Sequence, residues 1–214
     1  DATYALNARP YRGLAAFAPE HARFFFGRER EVDEVVGDLD ALVARGLPRL
    51  LVVSGASGTG KSSMVLGGAI PRWKRASADG GFAHLVVRPG AAPAAALAQV
   101  KERLAIVGEV CRRFLVVVDQ FEEVFTHQDA AGAATLARAL WAMAAEPDSP
   151  VCVLVTMRVD FLARCNELIV DDAGLRRFVN VYVGNDDVRF LDNLATPTPD
   201  GTQISVIPAV AGGC

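Results

Sequence analysis

The sequence lacks several features that would place it in common classes of protein. Its 214 residues carry 22 Lys and Arg against 25 Asp and Glu, a net charge of −3, with the two signs interspersed. A chain without a basic surplus presents no general nucleic-acid or membrane surface. Its apolar runs, such as Phe114–Val118, are far too short to cross a bilayer. We therefore expect no nucleic-acid partner and no membrane segment.

Cysteine and histidine are also scarce, and neither is spaced for metal binding. No C-x-x-C pair occurs among the four cysteines Cys111, Cys152, Cys165 and Cys214, and the three histidines are scattered. This usage argues against a disulfide framework and predicts a reducing, cytoplasmic location. The first three cysteines lie in apolar or helical surroundings and are expected to be small core residues. The chain begins with Asp and shows no signal peptide, which is compatible with a fragment or a trimmed product.

The sequence does have a regular alternation of apolar strands and helices. An amphipathic helix is predicted at about 29–44, and Gly46 ends it. Solid apolar strands are predicted at RLLVVSG, FAHLVV, RFLVVV and VCVLVT, with helices between them. The helix after the first strand begins near Lys61 and is expected to fade by Pro71. Strands that are buried on both faces predict an α/β fold, a parallel sheet with helices on both faces.

The pattern changes after about Val170. Over residues 176–214 apolar and polar residues alternate at period two, interrupted by Gly-Asn, Thr-Pro and Asp-Gly. This pattern predicts a hairpin, a turn and another strand, forming a small β-rich C-terminal segment. We place a domain boundary between roughly Cys165 and Leu175.

The segment GASGTGKS, Gly55–Ser62, fits the phosphate-binding pattern G-x-x-x-x-G-K-[ST] between a strand and a helix. Glycines allow the backbone N–H groups to point at phosphate oxygens, and the helix start adds its positive dipole end. Lys61 would reach the β- and γ-phosphates, and the Ser62 hydroxyl would take one Mg²⁺ position. The predicted nucleotide-binding residues here are Gly55, Ser57, Gly58, Thr59, Gly60, Lys61, Ser62 and Ser63.

A second carboxylate on the magnesium side is expected at the end of a nearby strand. Asp119 closes the third strand and fits that role. Gln120 stands where many ATPases place a water-activating Glu. Either Glu122 or Glu123 takes that role, with a slight preference for Glu123, or Gln120 only orients water, or hydrolysis is slow. The alternative for the two glutamates is a solvated acidic pair.

Arg158 follows the fourth strand, in VLVTMRVDF. A cation at this position would face the γ-phosphate, where it would report nucleotide state or stabilise charge in the transition state. The alternative is an ordinary surface arginine.

Four ordered segments together resemble the STAND class of P-loop NTPases, in the branch often found ahead of β-propeller repeats in bacterial signalling and conflict proteins. They are PYRGLAAFAPEHARFFFGREREVDEVV, VVSGASGTGKSSMV, FLVVVDQFEEVFT and VLVTMRVDFLARC, and they cover about residues 10–165. The resemblance implies that the segment with Gly27 and Arg28 packs near an adenine. It also implies that Lys61 and Ser62 are the Walker A pair, Asp119 the Walker B acid and Arg158 a sensor.

The same resemblance implies ATP and Mg²⁺ as cofactors. It implies a switch in which nucleotide exchange or hydrolysis changes domain packing and permits oligomerisation or binding of protein partners. The chain departs from the family by lacking the helical lid, the winged helix and the sensor repeats, and its stretch between the second and third strands is short. The expected organisation is an arm at 1–28, a truncated STAND core at 29–168 and a further segment at 171–214.

The last segment has a resemblance of its own. LRRFVNVYVGNDDVRFLDNLATPTPDGTQISVIPAVAGG is similar to the C-terminal half of β-grasp, ubiquitin-like sulfur carriers of the ThiS/MoaD/CysO type, over about 174–213. The resemblance implies that Gly212 and Gly213 form a carrier tail, which a partner enzyme adenylates and converts to a thiocarboxylate. Cys214 would then be trimmed, or would mimic a carrier loaded with cysteine. The alternative is that a broken gene or a fusion joined two unrelated pieces.

The leading hypothesis is an ATP-binding P-loop NTPase domain of the STAND type, with Mg²⁺-dependent nucleotide binding and slow hydrolysis. Two alternatives stay open. One is a sulfur-carrier module that acts through its tail, and the other is a nucleotide-gated interaction scaffold without turnover.

Overall fold

The computed structural model of the chain describes residues 13, 15–46, 48–77, 81–107, 111–126, 130–147 and 149–161, then 170–171, 174–175, 179–183, 186–187, 191–192, 196–198 and 204–208. Its helices are α1 (Glu29–Ala44), α2 (Lys61–Ser63), α3 (Ile70–Ala76), α4 (Pro93–Val107) and α5 (Ala130–Ala145). Two 3₁₀-helices span Pro19–Phe24 and Phe121–Phe125, and a π-helical segment spans Met64–Ala69. The main strands are β1 (Leu50–Gly55), β2 (Phe82–Val87), β3 (Arg113–Val118) and β4 (Val151–Arg158).

These four strands form one parallel sheet in the order β1-β4-β3-β2. The predicted α/β fold is thereby confirmed. The short stretch between the second and third strands holds one helix, α4, and those two strands are direct neighbours. Because these four strands are parallel, their carboxyl ends lie at one edge of the sheet, which is where ligands bind in open α/β sheets.

Helices cover both faces of the sheet, as the solid apolar strands predict. On one face α4 and α5 pack against side chains such as Val116 and Val153. On the other face α1, α3 and the π-helical segment pack against Leu115, Val117 and Leu154. Every residue from Phe114 to Val118 is fully buried. Full burial of a Val or Leu side chain stabilises the folded state by roughly 1.5–3 kcal/mol, so β3 is the centre of the core.

The helix after the first strand is longer than predicted. It continues beyond Pro71 as α3 and ends at Ala76. The physical reason is the π-helical segment Met64–Ala69, which precedes the proline and changes the hydrogen-bond pattern. Pro71 lies at the start of α3, directly after the π-helical segment, where the hydrogen-bond pattern of the helix changes.

Two glycines of the π-helical segment allow the N-terminal part of the chain to pack closely. A Cβ atom on Gly67 would lie 2.8 Å from Cβ of Phe17, and one on Gly68 would lie 2.4 Å from Cγ2 of Val32. Both distances are shorter than real Cβ atoms tolerate. The segment thus joins α1 and the residues before it to the helix that follows the phosphate-binding loop.

Short strands follow the main domain: β5 (Val170–Asp171), β6 (Gly174–Leu175), β7 (Val179–Val183), β8 (Asp186–Asp187) and β9 (Ile204–Pro208). Strand β7 pairs antiparallel with β8 and with β9, which confirms the predicted hairpin and further strand. Strand β9 lies beside β1 but belongs to a separate sheet. In the described part of the chain, no helix has the length and apolar character needed to span a membrane.

The close packing at the π-helical segment makes a testable prediction. Gly68→Ala should lower the free energy of unfolding by about 1–3 kcal/mol, because a methyl group would be forced into filled space. Urea denaturation measures this change. Gly37→Ala is the matched control, since Gly37 is exposed on α1 with no heavy atom within 4 Å of an added Cβ. It should raise stability by up to about 1 kcal/mol. Unchanged stability in Gly68→Ala would contradict the packing.

Candidate functional site

The phosphate-binding pattern forms a loop between β1 and α2. Strand β1 ends at Gly55, and the helix begins at Lys61. Gly58 and Gly60 have φ values of 77° and 79°, a left-handed conformation that favours glycine. The hydroxyl of Thr59 donates to the Ala56 carbonyl at 2.9 Å and closes the loop on itself. The loop, including Ser57, is exposed at the carboxyl edge of the sheet.

Lys61 folds back across this loop. Its Nζ donates to the carbonyl oxygens of Gly55 and Ala56, each at 2.8 Å. Burial lowers the pKa of the Lys61 ammonium below its ordinary value, and the charge of Glu122 opposes that shift. A partly desolvated ammonium that is held by two carbonyl groups is well suited to exchange them for phosphate oxygens.

Asp119 joins the loop helix to the centre of the sheet. It follows β3 directly, and its side chain is 0% exposed. Its Oδ1 accepts hydrogen bonds from the hydroxyls of Ser62 at 2.6 Å and Thr156 at 2.7 Å. Its Oδ2 accepts two from Arg88, from Nε at 2.9 Å and from Nη2 at 2.7 Å. The structure therefore brings Ser62 and Asp119 together, as the sequence predicts.

Thr156 also fixes the backbone that leaves β3. Its Oγ1 accepts the N–H of Gln120 at 2.9 Å while donating to Asp119. Gln120 has a φ of 59°, a left-handed conformation that is unusual for a residue other than glycine. The chain turns sharply here into the 3₁₀-helix Phe121–Phe125.

That turn separates the two candidate glutamates. Oε2 of Glu122 accepts the backbone N–H of Arg158 at 3.3 Å, so this carboxylate lies at the end of β4 and acts electrostatically on Lys61. Glu123 lies elsewhere: a Cβ atom on Gly90 would be 3.6 Å from its Oε2. Of the pair, Glu122 is the one directed toward the loop lysine and the fourth strand.

Arg158 is the last residue of β4, which runs two residues beyond the predicted strand that Arg158 is expected to follow. Its guanidinium binds the carboxylate of Asp160 through Nε and Nη2, and it lies 5.3 Å from the ring centroid of Phe161. The bond from Arg158 lowers the pKa of Asp160. The arginine side chain is half-exposed and close enough to Lys61 to affect its pKa.

The segment before α1 reaches the same loop. Nη1 of Arg28 donates to the Thr59 carbonyl at 2.7 Å, while its Nε donates to Glu31. The Gly27 N–H binds Oε1 of Glu29 at 2.9 Å. Further toward the N-terminus, the N–H of Phe17 donates to Oγ of Ser63 at 3.2 Å. Arg28 thus contacts the phosphate-binding loop directly, Ser63 contacts the N-terminal segment from the start of the following helix, and Gly27 precedes Arg28 in the chain.

Two residues of this cluster are not among those that the sequence predicts. Arg88 follows β2 and Thr156 lies within β4, where each is a polar residue in or after an apolar run. The sequence contains that signal, but only the strand order shows that both residues flank Asp119. The predicted carrier tail, Gly212 and Gly213, lies outside the described residues, as do Cys165 and Cys214. Cys111 and Cys152 are buried, and burial raises the pKa of Cys152 to about 12.

The oxygen donors of the cluster fit Mg²⁺. No group of three or more His, Cys, Asp or Glu side chains in the described ranges is placed to hold a metal ion. Magnesium does not need such a group, because it commonly uses one or two protein oxygens together with phosphate and water. The Ser62 hydroxyl and the Asp119 carboxylate, which lie 2.6 Å apart, are hard oxygen donors of this kind.

Comparison with solved structures shows the same fold. The Aeropyrum pernix ORC2 protein, solved in ADPNP–ADP complexes, superposes with a TM-score of 0.50 at 16% identity, covering 68% of this chain and 45% of that one. A chain of the E. coli MS115-1 HORMA:CdnC:Trip13 complex has the same TM-score and identity, covering 68% of this chain and 61% of its own.

A short stretch is similar to a different kind of protein. The sulfur carrier protein CysO of Mycobacterium tuberculosis and of Mycobacterium bovis is 56% identical over 39 residues. The match takes in 18% of this chain and 42% of the carrier, so the chain spans less than half of the curated relatives it matches.

The broadest match is to a family of nucleotide-hydrolysing proteins. The family model described as Novel STAND NTPase 1 matches residues 10–184, most of the chain. It includes the phosphate-binding loop, Asp119 and Arg158. With this match and a parallel sheet of the corresponding fold, the chain belongs to the Novel STAND NTPase 1 family of P-loop NTPases.

Proposed function

We propose that this chain binds ATP together with Mg²⁺ and hydrolyses it slowly, as the nucleotide-dependent part of a STAND switch. The observation that carries the proposal is the junction of Ser62 and Asp119 directly behind a glycine-rich loop. Family membership supports nucleotide binding, and the fold is shared with a protein solved in ADPNP–ADP complexes. Adenine is therefore the proposed base.

Each residue of the loop has a proposed part in binding. The amides of residues 58–62 surround the phosphates at the start of α2, where the helix dipole favours an anion. Lys61 exchanges the carbonyls of Gly55 and Ala56 for β- and γ-phosphate oxygens. Ser62 and Asp119 hold the magnesium ion, which when bound neutralises phosphate charge. Arg28 keeps the Thr59 peptide in place from the adenine side.

Lys61→Ala tests the binding proposal. Loss of the ammonium should weaken MgATP binding on the order of 100-fold, because it removes charge-assisted hydrogen bonds worth about 1.5–3 kcal/mol each. Isothermal titration calorimetry measures the affinity. Lys101→Ala, a change at an exposed position of α4, is the control and should bind like the wild type. A folded wild-type chain that binds no MgATP would overturn the proposal.

For hydrolysis we propose Glu122 as the residue that activates water. The sequence slightly favours Glu123, but after the sharp turn at Gln120 the Glu122 carboxylate lies at the end of β4, while Oε2 of Glu123 lies near Gly90. Because the Glu122 carboxylate lies near Lys61 and Arg158, it is close to the place where the phosphates are expected to bind. Arg158, once released from Asp160, supplies positive charge to the γ-phosphate.

Glu122→Gln should abolish most phosphate release while leaving MgATP affinity near that of the wild type. General-base catalysis contributes about 100-fold or more, and the amide cannot accept the proton. Glu123→Gln is the matched control and should retain activity. Phosphate release and calorimetry on the same samples separate chemistry from binding. The reverse pattern, with Glu123→Gln inactive, would contradict this assignment. Binding without any release from the wild type would favour a scaffold without turnover.

The 39-residue match to CysO favours a second candidate function, a carrier that acts through Gly212 and Gly213 after removal of Cys214. Its test is mass spectrometry of the C-terminus after expression in a mycobacterial host. The carrier proposal predicts a chain ending at Gly213 in which sulfur replaces one carboxyl oxygen. A control chain ending at Ala211 should show no such product. Recovery of the intact Cys214 terminus alone would contradict the carrier proposal without affecting nucleotide binding.

A further inference from the structure

Arg88 has a fixed place at the carboxyl edge of the sheet. It is the first residue after β2, and the carbonyl of the preceding Val87 accepts the N–H of Asp119 at 2.9 Å. This bond ties the end of β2 to the end of β3. Pro89 and Gly90, the latter with a φ of 49°, then turn the chain away. The guanidinium of Arg88 is thereby held beside the Asp119 carboxylate.

The two side chains differ greatly in burial. Arg88 is 51% exposed, whereas Asp119 is 0% exposed. Two N–H groups of Arg88 bind Oδ2, while the hydroxyls of Ser62 and Thr156 bind Oδ1. The hydroxyls are neutral, so they satisfy hydrogen bonds without supplying charge. Of the described side chains that hydrogen-bond to Asp119, Arg88 is the one that carries a positive charge.

A buried carboxylate is costly to leave without a cation, and two cations at one carboxylate repel each other. We propose that Arg88 is the resident counter-ion of Asp119 and competes with Mg²⁺ for it. The guanidinium neutralises the carboxylate while no metal is bound, and a Mg²⁺ ion at Ser62 and Asp119 would compete with it for the same negative charge. The Arg88 side chain is half-exposed, so its guanidinium has room to move away from Asp119 into solvent. Arg88 is thus a positioning residue that sets the Mg²⁺ concentration at which the site fills.

The first test uses the metal alone and does not depend on nucleotide binding. The melting temperature of wild type and Arg88→Gln is followed during a Mg²⁺ titration without nucleotide. Arg88→Gln should reach half of its stabilisation at a Mg²⁺ concentration at least about fivefold lower than the wild type, a typical lower bound for coupled binding. An equal or higher midpoint in Arg88→Gln would overturn the proposal.

Arg72→Gln is the matched control for this titration. Arg72 is 49% exposed, much like Arg88, but its partner Asp33 is exposed, so the change removes the same charge without uncovering a buried carboxylate. Its Mg²⁺ midpoint should equal that of the wild type. Arg88→Lys restores the charge without the forked bonds, and its midpoint should return toward the wild-type value.

The second test adds ADP, and this arm rests on the proposed function. At saturating ADP, the Mg²⁺ midpoint should again be lower in Arg88→Gln. If the wild type binds no nucleotide, the proposed function fails while the metal-only titration still decides the role of Arg88. If both proteins bind ADP and their Mg²⁺ midpoints are equal, the inference fails and the proposed function stands.

Arg88→Gln is also at risk of misfolding, because it leaves a buried carboxylate unpaired. The double variant Arg88→Gln/Asp119→Asn removes both charges and should recover stability. It should show no midpoint of its own in the metal titration. A double variant that responds to Mg²⁺ as strongly as Arg88→Gln would overturn the proposal, because the metal would then be binding elsewhere.

Discussion

The burial of the Asp119 carboxylate is the constraint on which the rest of the site depends. Strand β3 is an inner strand of the sheet, and its apolar side chains are fully buried. A charged group at the end of such a strand must be fully hydrogen-bonded. Here the partners come from the end of β2, the start of α2 and the interior of β4. Satisfying one buried acid therefore fixes three other segments around it.

Hydrogen bonds between side chains and backbone groups also link the phosphate-binding loop and its helix to the segment before α1. Arg28 binds a carbonyl of the phosphate-binding loop, and the Phe17 N–H binds Ser63 at the start of the following helix. Gly67 and Gly68 leave the space that lets this segment approach. The phosphate-binding loop and the helix after it are therefore in direct contact with the N-terminal segment.

Local patterns were sufficient for much of this structure. The bounds of α1, the four apolar strands and the glycine-rich loop each follow from spacing within a few residues. The end of the loop helix does not, because a π-helical segment lets it continue through Pro71. The residue pattern alone does not predict the change to π-helical hydrogen bonding.

The roles of Arg88 and Thr156 depend on strand register rather than on local sequence. They flank Asp119 because Val87 pairs with Val118 and Val118 pairs with Val155. The direction of Glu122 and Glu123 is set by the left-handed turn at Gln120, which a sequence with no glycine there does not indicate.

The most direct test of the account is a crystal structure of the chain with Mg²⁺ and a non-hydrolysable ATP analogue. The account predicts that the β- and γ-phosphates lie against the amides of residues 58–62, with Lys61 moved from the carbonyls of Gly55 and Ala56 to phosphate oxygen. It also predicts magnesium at the Ser62 hydroxyl. An analogue bound at another surface, with Lys61 still on those carbonyls, would contradict it.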